Sequence, residues 1–213
     1  MKRIATSIVL LAAASVSCWA QQWEFGGYGG AGFLGNVNVS SATSGSATAG
    51  FQPGFAAGAF FGQNLYSHLS GELHYTFMQS NLRLQSGGSE ATFAGQSHAI
   101  HYDVILHTNK RESRVQYFAA IGGGARIFRG TGQEQAFQPL SQFGYFTKTQ
   151  TIKPMASVGG GLKYAMTSRV FLRLELRDYI TPFPTQIITP APGAKFGSIL
   201  NELVPMVTVS YEH

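Results

Sequence analysis

Leu69-Ser70-Gly71-Glu72-Leu73-His74-Tyr75-Thr76-Phe77 decides the fold, together with its partner Ala99-Ile100-His101-Tyr102-Asp103-Val104-Ile105-Leu106. In the first stretch Leu69, Gly71, Leu73, Tyr75 and Phe77 share one parity, and Ser70, Glu72, His74 and Thr76 share the other. In the second, Ile100, Tyr102, Val104 and Leu106 stand against Ala99, His101, Asp103 and Ile105. Strict alternation over this length means a strand whose two faces meet different media. A soluble sheet also alternates, but it turns its charges to the watery outside. The fold therefore depends on which face is outside.

Working outward from these two stretches, Trp23 to Tyr211 holds eight candidate strands, at about 22–34, 49–62, 68–80, 97–108, 114–128, 149–165, 169–180 and 201–212. Their links alternate in length. Gln63–Ser67, Asn109–Ser113 and Met166–Ser168 are short. Gly35–Thr48, Asn81–Gln96, Arg129–Lys148 and Thr181–Leu200 are long and polar or rich in Gly and Pro, and the first, mostly Ser, Thr, Ala and Gly, reads as a mobile loop. Short turns alternating with long loops, on an even number of strands, is the pattern of an up-and-down barrel in the outer membrane. A soluble sandwich has no reason to sort its links by length. The glycine runs Gly26-Gly27, Gly122-Gly123-Gly124 and Gly159-Gly160-Gly161 read as close strand packing or curvature. No helical pattern follows them, so they are not phosphate loops.

One parity per strand is free of charge, except that Asp178 comes next on the apolar face of strand seven, so the lipid must end before it. That parity carries Phe25 and Phe33 on strand one; Phe51, Pro53, Phe55 and Phe61 on strand two; Tyr117, Ile121 and Ile127 on strand five; Ile152, Val158 and Leu162 on strand six; Leu172, Leu174 and Leu176 on strand seven; and Leu203, Val207 and Val209 on strand eight. The opposite parity carries Glu24, Glu72, Asp103, Arg126, Lys153, Lys163, Arg173, Glu175 and Arg177. That set is mixed and nearly balanced, as a narrow lumen requires of charges that must pair away from bulk water. Lys or Arg on a lipid face would cost about 2–4 kcal/mol at mid-bilayer. Phe60, Phe118, Phe128 and Phe171 share the charged parity, so the inner face is not uniformly polar. The reading is an all-β, eight-stranded antiparallel up-and-down transmembrane β-barrel.

The chain has 213 residues, of which 12% are charged, about half the usual share of a soluble domain. Residues 1–20 read as a secretory signal peptide: Lys2 and Arg3, a short apolar run at Ile8–Ala14, and Cys18-Trp19-Ala20 at the cleavage site. Residues 21–213 are then the barrel domain. An uncleaved anchor and a lipid-modified Cys18 are alternatives; Ser15 stands where a lipoprotein signal carries Leu. Removing Lys2 and Arg3 takes the 15 basic residues to 13 against 10 acidic, a net charge of +3. That is too mild to indicate nucleic acid. Removing the leader also removes the sole cysteine, so no disulfide is expected.

Leu69–Tyr75, Tyr117-Phe118-Ala119-Ala120-Ile121-Gly122-Gly123-Gly124 and Arg173-Leu174-Glu175-Leu176-Arg177-Asp178-Tyr179 resemble the OmpA-like family of small outer-membrane β-barrel proteins, and the likeness covers nearly all of residues 21–213. It implies residence in the bacterial outer membrane after export through the periplasm, contact with membrane lipid, and insertion by the barrel-assembly machinery. That machinery often reads an aromatic last residue; here the last residue is His213, with Tyr211 two before it.

Glu72, His74, His101, Asp103, Arg173, Glu175 and Arg177 are the candidate site, read as an ion-pair network plugging the lumen. Glu72, His74, His101 and Asp103 alone could also be read as a metal site, but alternate strand positions are where polar residues must go, and no metal or other cofactor is expected. Ser97 and His98 carry the types of a hydrolase pair, yet adjacent strand residues point to opposite faces, so no catalytic residue is assigned. Arg83, Arg129, Lys148 and Lys195, near the long loops, could touch lipopolysaccharide phosphates. The expected protein is a monomer without enzymatic activity, acting in membrane integrity or surface contacts. The alternatives are a narrow ion or small-solute channel, a soluble periplasmic binding module, and a membrane-embedded lipid hydrolase.

Overall fold

A computed structural model describes residues 22–42, 45–108 and 113–213. The expected leader, residues 1–20, and most of the turn at 109–113 lie outside the described residues. In chain order the strands are β1 (Gln22–Leu34), β2 (Val37–Ser41), β3 (Gly45–Phe51), β4 (Gly54–Tyr66), β5 (Leu69–Gln79), β6 (Leu82–Ser86), β7 (Ser89–Phe93), β8 (Gly95–His107), β9 (Val115–Gly130), β10 (Gly144–Phe146), β11 (Gln150–Ala165), β12 (Val170–Pro182), β13 (Ile188–Pro190), β14 (Ala194–Phe196) and β15 (Ile199–Glu212). No helix occurs among the described residues.

Eight of these strands close into an antiparallel barrel in the order β1-β15-β12-β11-β9-β8-β5-β4. Each is hydrogen-bonded to its neighbour among the eight along the chain, and β1 closes the ring by pairing with both β4 and β15. The last residue takes part: His213 donates its N–H to the Trp23 carbonyl at 2.9 Å. Closure leaves no barrel strand edge unpaired, which a lipid environment demands.

The apolar parity is the outside. Phe25, Phe33, Leu73, Tyr75, Ile100, Tyr102, Ile121, Leu176, Val207 and Val209 are all exposed, while Glu72, His74, His101, Asp103, Arg126, Arg173 and Arg177 are each at most 2% exposed. This inverts a soluble protein, and it removes the soluble-sandwich alternative. Seven strands fall within two residues of their predicted bounds. The second does not: 49–62 is displaced to Gly54–Tyr66. Pro53 has no N–H to donate, and the chain turns there, with Gln52 bonded to the Asn81 carbonyl at 2.8 Å. Phe51 consequently leaves the lipid face. It is 1% exposed and stacks on Phe128 at 5.6 Å.

The long links are also more ordered than expected. Gly35–Thr48, predicted as a mobile loop, contributes the β2–β3 pairing instead. Its signal is short: Val37 and Val39 on β2 are register partners of Ala49 and Ala47 on β3, so the four share one face, and all are buried. The β6–β7 hairpin turns at Gly87-Gly88, whose φ angles of 55° and 81° suit the mirror-image turn that matches strand twist. Above the barrel, β14-β2-β3-β6-β7 form one sheet and β10-β13 a second. Val37, Phe51, Leu82, Leu84, Phe93, Phe128, Phe143, Phe146, Phe183, Ile187, Ile188 and Leu200 lie in one apolar cluster among these elements. The barrel thus ends in a packed platform on its long-loop side.

Candidate functional site in the barrel lumen

Period-two alternation on eight tilted strands sends every second side chain inward, and an eight-stranded lumen has room for little else. The inward charges are arranged at three heights. Toward the short-turn end, Lys163 Nζ lies 2.6 Å from Glu24 Oε2 and 3.6 Å from Glu212 Oε2. Ser210 donates its hydroxyl to Glu24 Oε1 at 2.6 Å.

The middle height holds all seven sequence-predicted site residues. Arg173 grips Glu72 with both arms of its guanidinium, at 2.8 and 3.2 Å. Its Nε lies 3.0 Å from Glu175 Oε1. Arg177 is ion-paired to the other Glu175 oxygen at 3.0 Å and to Asp103. His74 Nε2 is 2.9 Å from Glu72 Oε2, and His101 Nδ1 is 2.9 Å from Asp103 Oδ1. These two histidines are register partners on β5 and β8. Their rings stack at 4.9 Å with planes 3° apart. The planar fork of Arg, always charged, suits such a site where Lys would make a single contact.

Nearer the platform, Arg126 is ion-paired to Glu202 and donates to Ser97 Oγ at 2.9 Å. Sequence reasoning missed Glu202, because its strand was predicted to begin at 201 and left it a frayed end. β15 begins at Ile199, so Glu202 is fully inward and 0% exposed. Lys153, read as an inward charge, is only partly buried, and no ion pair involves it among the described residues.

Two further features complete the packing. Each inward phenylalanine meets a cation: Arg173 lies 4.7 Å from the Phe60 ring and 4.8 Å from Phe118, Arg126 4.6 Å from Phe128, and Lys163 4.0 Å from Phe171. The inward glycines make space for the charges. A Cβ on Gly122 would run into Asp103, and one on Gly159 would sit 2.9 Å from the Arg177 side chain. The aromatic residues and glycines that looked out of place in a polar lumen are the walls of its charged sites.

No group of His, Cys, Asp and Glu among the described residues has the arrangement of a metal centre. Glu72 and Asp103 are instead engaged by guanidinium groups. Ser97 and His98 point to opposite faces. Ser97 is engaged by Arg126, whereas His98 Nδ1 is bonded to the Tyr75 hydroxyl at 2.8 Å on the outer wall.

Closed strand order, outward apolar face and inward charge together define the architecture, and residues 6–189 match the profile of the outer membrane protein beta-barrel domain. The chain belongs to that family. It is a small barrel of the bacterial outer membrane, embedded in membrane lipid. Two solved barrels illustrate the likeness. Neisserial surface protein A, from Neisseria, is 15% identical, with 88% of this chain and 96% of that one covered at a TM-score of 0.51. OprG from Pseudomonas aeruginosa is 9% identical, with 91% and 95% covered at a TM-score of 0.58. At these identities the likeness is one of fold. No curated protein matches the sequence.

Proposed function

We propose that this family member is a closed, monomeric barrel that supports outer-membrane integrity and holds a rigid platform at the cell surface for contacts with its surroundings. A solute channel and an enzyme are the readings set aside. The observation that carries the proposal is the obstruction of the lumen. Ion-paired side chains cross it at three heights, and the apolar cluster around Phe51, Phe128 and Phe183 covers its long-loop end. Opening a path would require breaking buried charge pairs, each break costing about 3–5 kcal/mol. The platform supports the surface role, because a hydrophobic cluster beneath the strands fixes what would otherwise be floppy loops. At its tip is an open polar recess of about 480 Å³, lined in part by Asn38, Thr48, Gln85 and Glu90. Delivery by the barrel-assembly machinery and contact with lipopolysaccharide belong to the same reading.

Planar-bilayer recording tests the closed lumen: the expected trace has no steady conductance step, and a persistent open level would overturn the reading. Complementation of detergent sensitivity in a deletion strain tests the envelope role. Full-length protein should restore resistance, and failure to do so would remove the integrity half of the proposal.

A further inference from the structure

The platform strands run in an arc that does not close. From one end the order is β10-β13, then β14-β2-β3-β6-β7, with β14 lying against β13. The two ends of the arc, β7 and β10, meet through side chains. Phe93 stacks on Phe146 at 5.7 Å, and among the described residues no backbone hydrogen bond joins the two strands. Between them lies a groove of about 200 Å³, walled on one side by β7 and on the other by Gln133, Gln135 and Pro139.

Both end strands turn backbone groups away from their own sheets. The Gly87-Gly88 turn makes Ser86 and Ser89 a hydrogen-bonded pair, and Leu84 with Ala91 and Leu82 with Phe93 follow it. Glu90 and Thr92, the alternate residues, therefore direct their N–H and C=O groups away from β6. No backbone hydrogen bond reaches those groups among the described residues. On β10 the flanking residues face β13: Thr147 donates to the Ile187 carbonyl at 3.0 Å, and the Phe143 carbonyl accepts from Ala191 at 3.1 Å. Phe146 faces the other way, and a side chain meets it there. Gln138 Nε2 donates to the Phe146 carbonyl at 2.9 Å, and the Phe146 N–H donates to Gln138 Oε1 at 2.7 Å. One donor and one acceptor offered to one residue is how an adjacent antiparallel strand would bond it. Gln138 stands where a strand would.

We propose that an extended segment of a partner protein adds to β7 in this groove, displacing Gln138 from β10 and closing the arc. The proposal deepens, and rests on, the reading of the platform as a rigid surface for contacts. Main-chain hydrogen bonds to Glu90, Thr92 and Phe146 supply the affinity, and alternate side chains supply the selection. Those facing the platform cluster lie over Phe93 and Phe146, so they are apolar and β-branched. Those facing water are polar, with a Lys or Arg beside Glu90. The Glu90 carboxylate is held by the amides of Gln52 and Gln85, at 3.1 and 2.6 Å, rather than by a cation. Phe137, adjoining Gln138, is 91% exposed and offers the same partner an aromatic contact at the rim.

The probe is the end-blocked peptide Thr-Lys-Val-Thr-Val-Lys-Thr, labelled with fluorescein and titrated with the folded full-length barrel in detergent micelles. Fluorescence polarisation reads the binding. Wild type should bind the peptide saturably. Methylating the two valine nitrogens removes two N–H donors and should weaken binding about tenfold. Thr92→Pro removes an N–H that faces the groove from an edge strand, where proline is tolerated, and should abolish binding. Gln138→Ala frees the Phe146 backbone and should tighten binding about tenfold, whereas a loop that Gln138 merely braces would bind less. Heat-modifiability on gels confirms that each barrel is folded. No saturable binding by wild type, equal binding of the methylated peptide, or weaker binding by Gln138→Ala would overturn the proposal. None of these outcomes touches the closed-lumen reading. A concentration-dependent dimer in sedimentation that Thr92→Pro removes, with no peptide bound, would put a second copy in the groove and overturn the proposal as well. A conducting barrel that still binds the peptide would leave the groove standing.

Discussion

Arg173→Ala is the perturbation that most directly examines the lumen network. The side chain is 1% exposed, holds Glu72 at 2.8 and 3.2 Å and Glu175 at 3.0 Å, and lies between the rings of Phe60 and Phe118. Truncation removes both arms from Glu72 and leaves a cavity between two aromatic rings. Removing one partner of a buried pair costs about 3–5 kcal/mol, because the remaining charge is uncompensated. Glu72 keeps His74 at 2.9 Å, and Glu175 keeps Arg177 at 3.0 Å. These partners hold the expected cost to the lower part of that range, about 3 kcal/mol. Glu72→Gln alone should cost somewhat less, since the amide retains one acceptor for the guanidinium. The double variant should be milder than the sum, with a coupling energy of about 2 kcal/mol, within the span seen for residues of one network. Urea titration of protein folded into vesicles gives the three free energies. Additive costs would refute the argument, because they would mean that the two side chains stabilise the barrel separately.

Leu73→Arg and Val104→Arg, both on the outward face, should lower folding yield in vesicles, each at about 2–4 kcal/mol. Gln150→Arg, beyond the apolar band, should cost at most about 1 kcal/mol. Equal damage at all three would mean that the face is not in lipid. Gly122→Ala should destabilise the barrel by about 1–3 kcal/mol, because its Cβ meets Asp103, whereas Gly29→Ala meets nothing within 4 Å and should be near neutral in the same urea assay. Glu202→Ala should destabilise by about 3 kcal/mol, since it strips Arg126 of its buried carboxylate. A change below about 0.5 kcal/mol would show that Ser97 alone satisfies the guanidinium.

The barrel was legible because lipid enforces a rule that sequence displays directly. Every backbone group must be paired within the wall, and the outward side chains that meet the lipid core must be predominantly apolar, so parity and strand count suffice. The platform obeys no such rule. Its strands are three to seven residues long, too short for alternation to stand out from a Ser-, Gly- and Thr-rich background. Phe51 shows the consequence. Its parity is right for the lipid face of strand two, yet Pro53 ends that ladder and sends the ring into the cluster above the lumen.

The site was legible for a narrower reason. Parity says which charges are inside, and distance from the short turns says which share a height, and this brought Glu72, Asp103, Arg173, Glu175 and Arg177 together. Parity cannot say which charge meets which, because partners 101 residues apart, such as Glu72 and Arg173, face each other across the lumen rather than along a ladder. Nor does it assign inward Gly and Phe a purpose. The structure supplies one: a guanidinium needs a gap to enter and a surface to lie on, and Gly159 and Phe60 provide these for Arg177 and Arg173. Space and π-face are therefore as much a part of this polar lumen as its charges. A barrel of the same parity pattern with alanine at the inward glycines would have room for fewer of the ion pairs that close it.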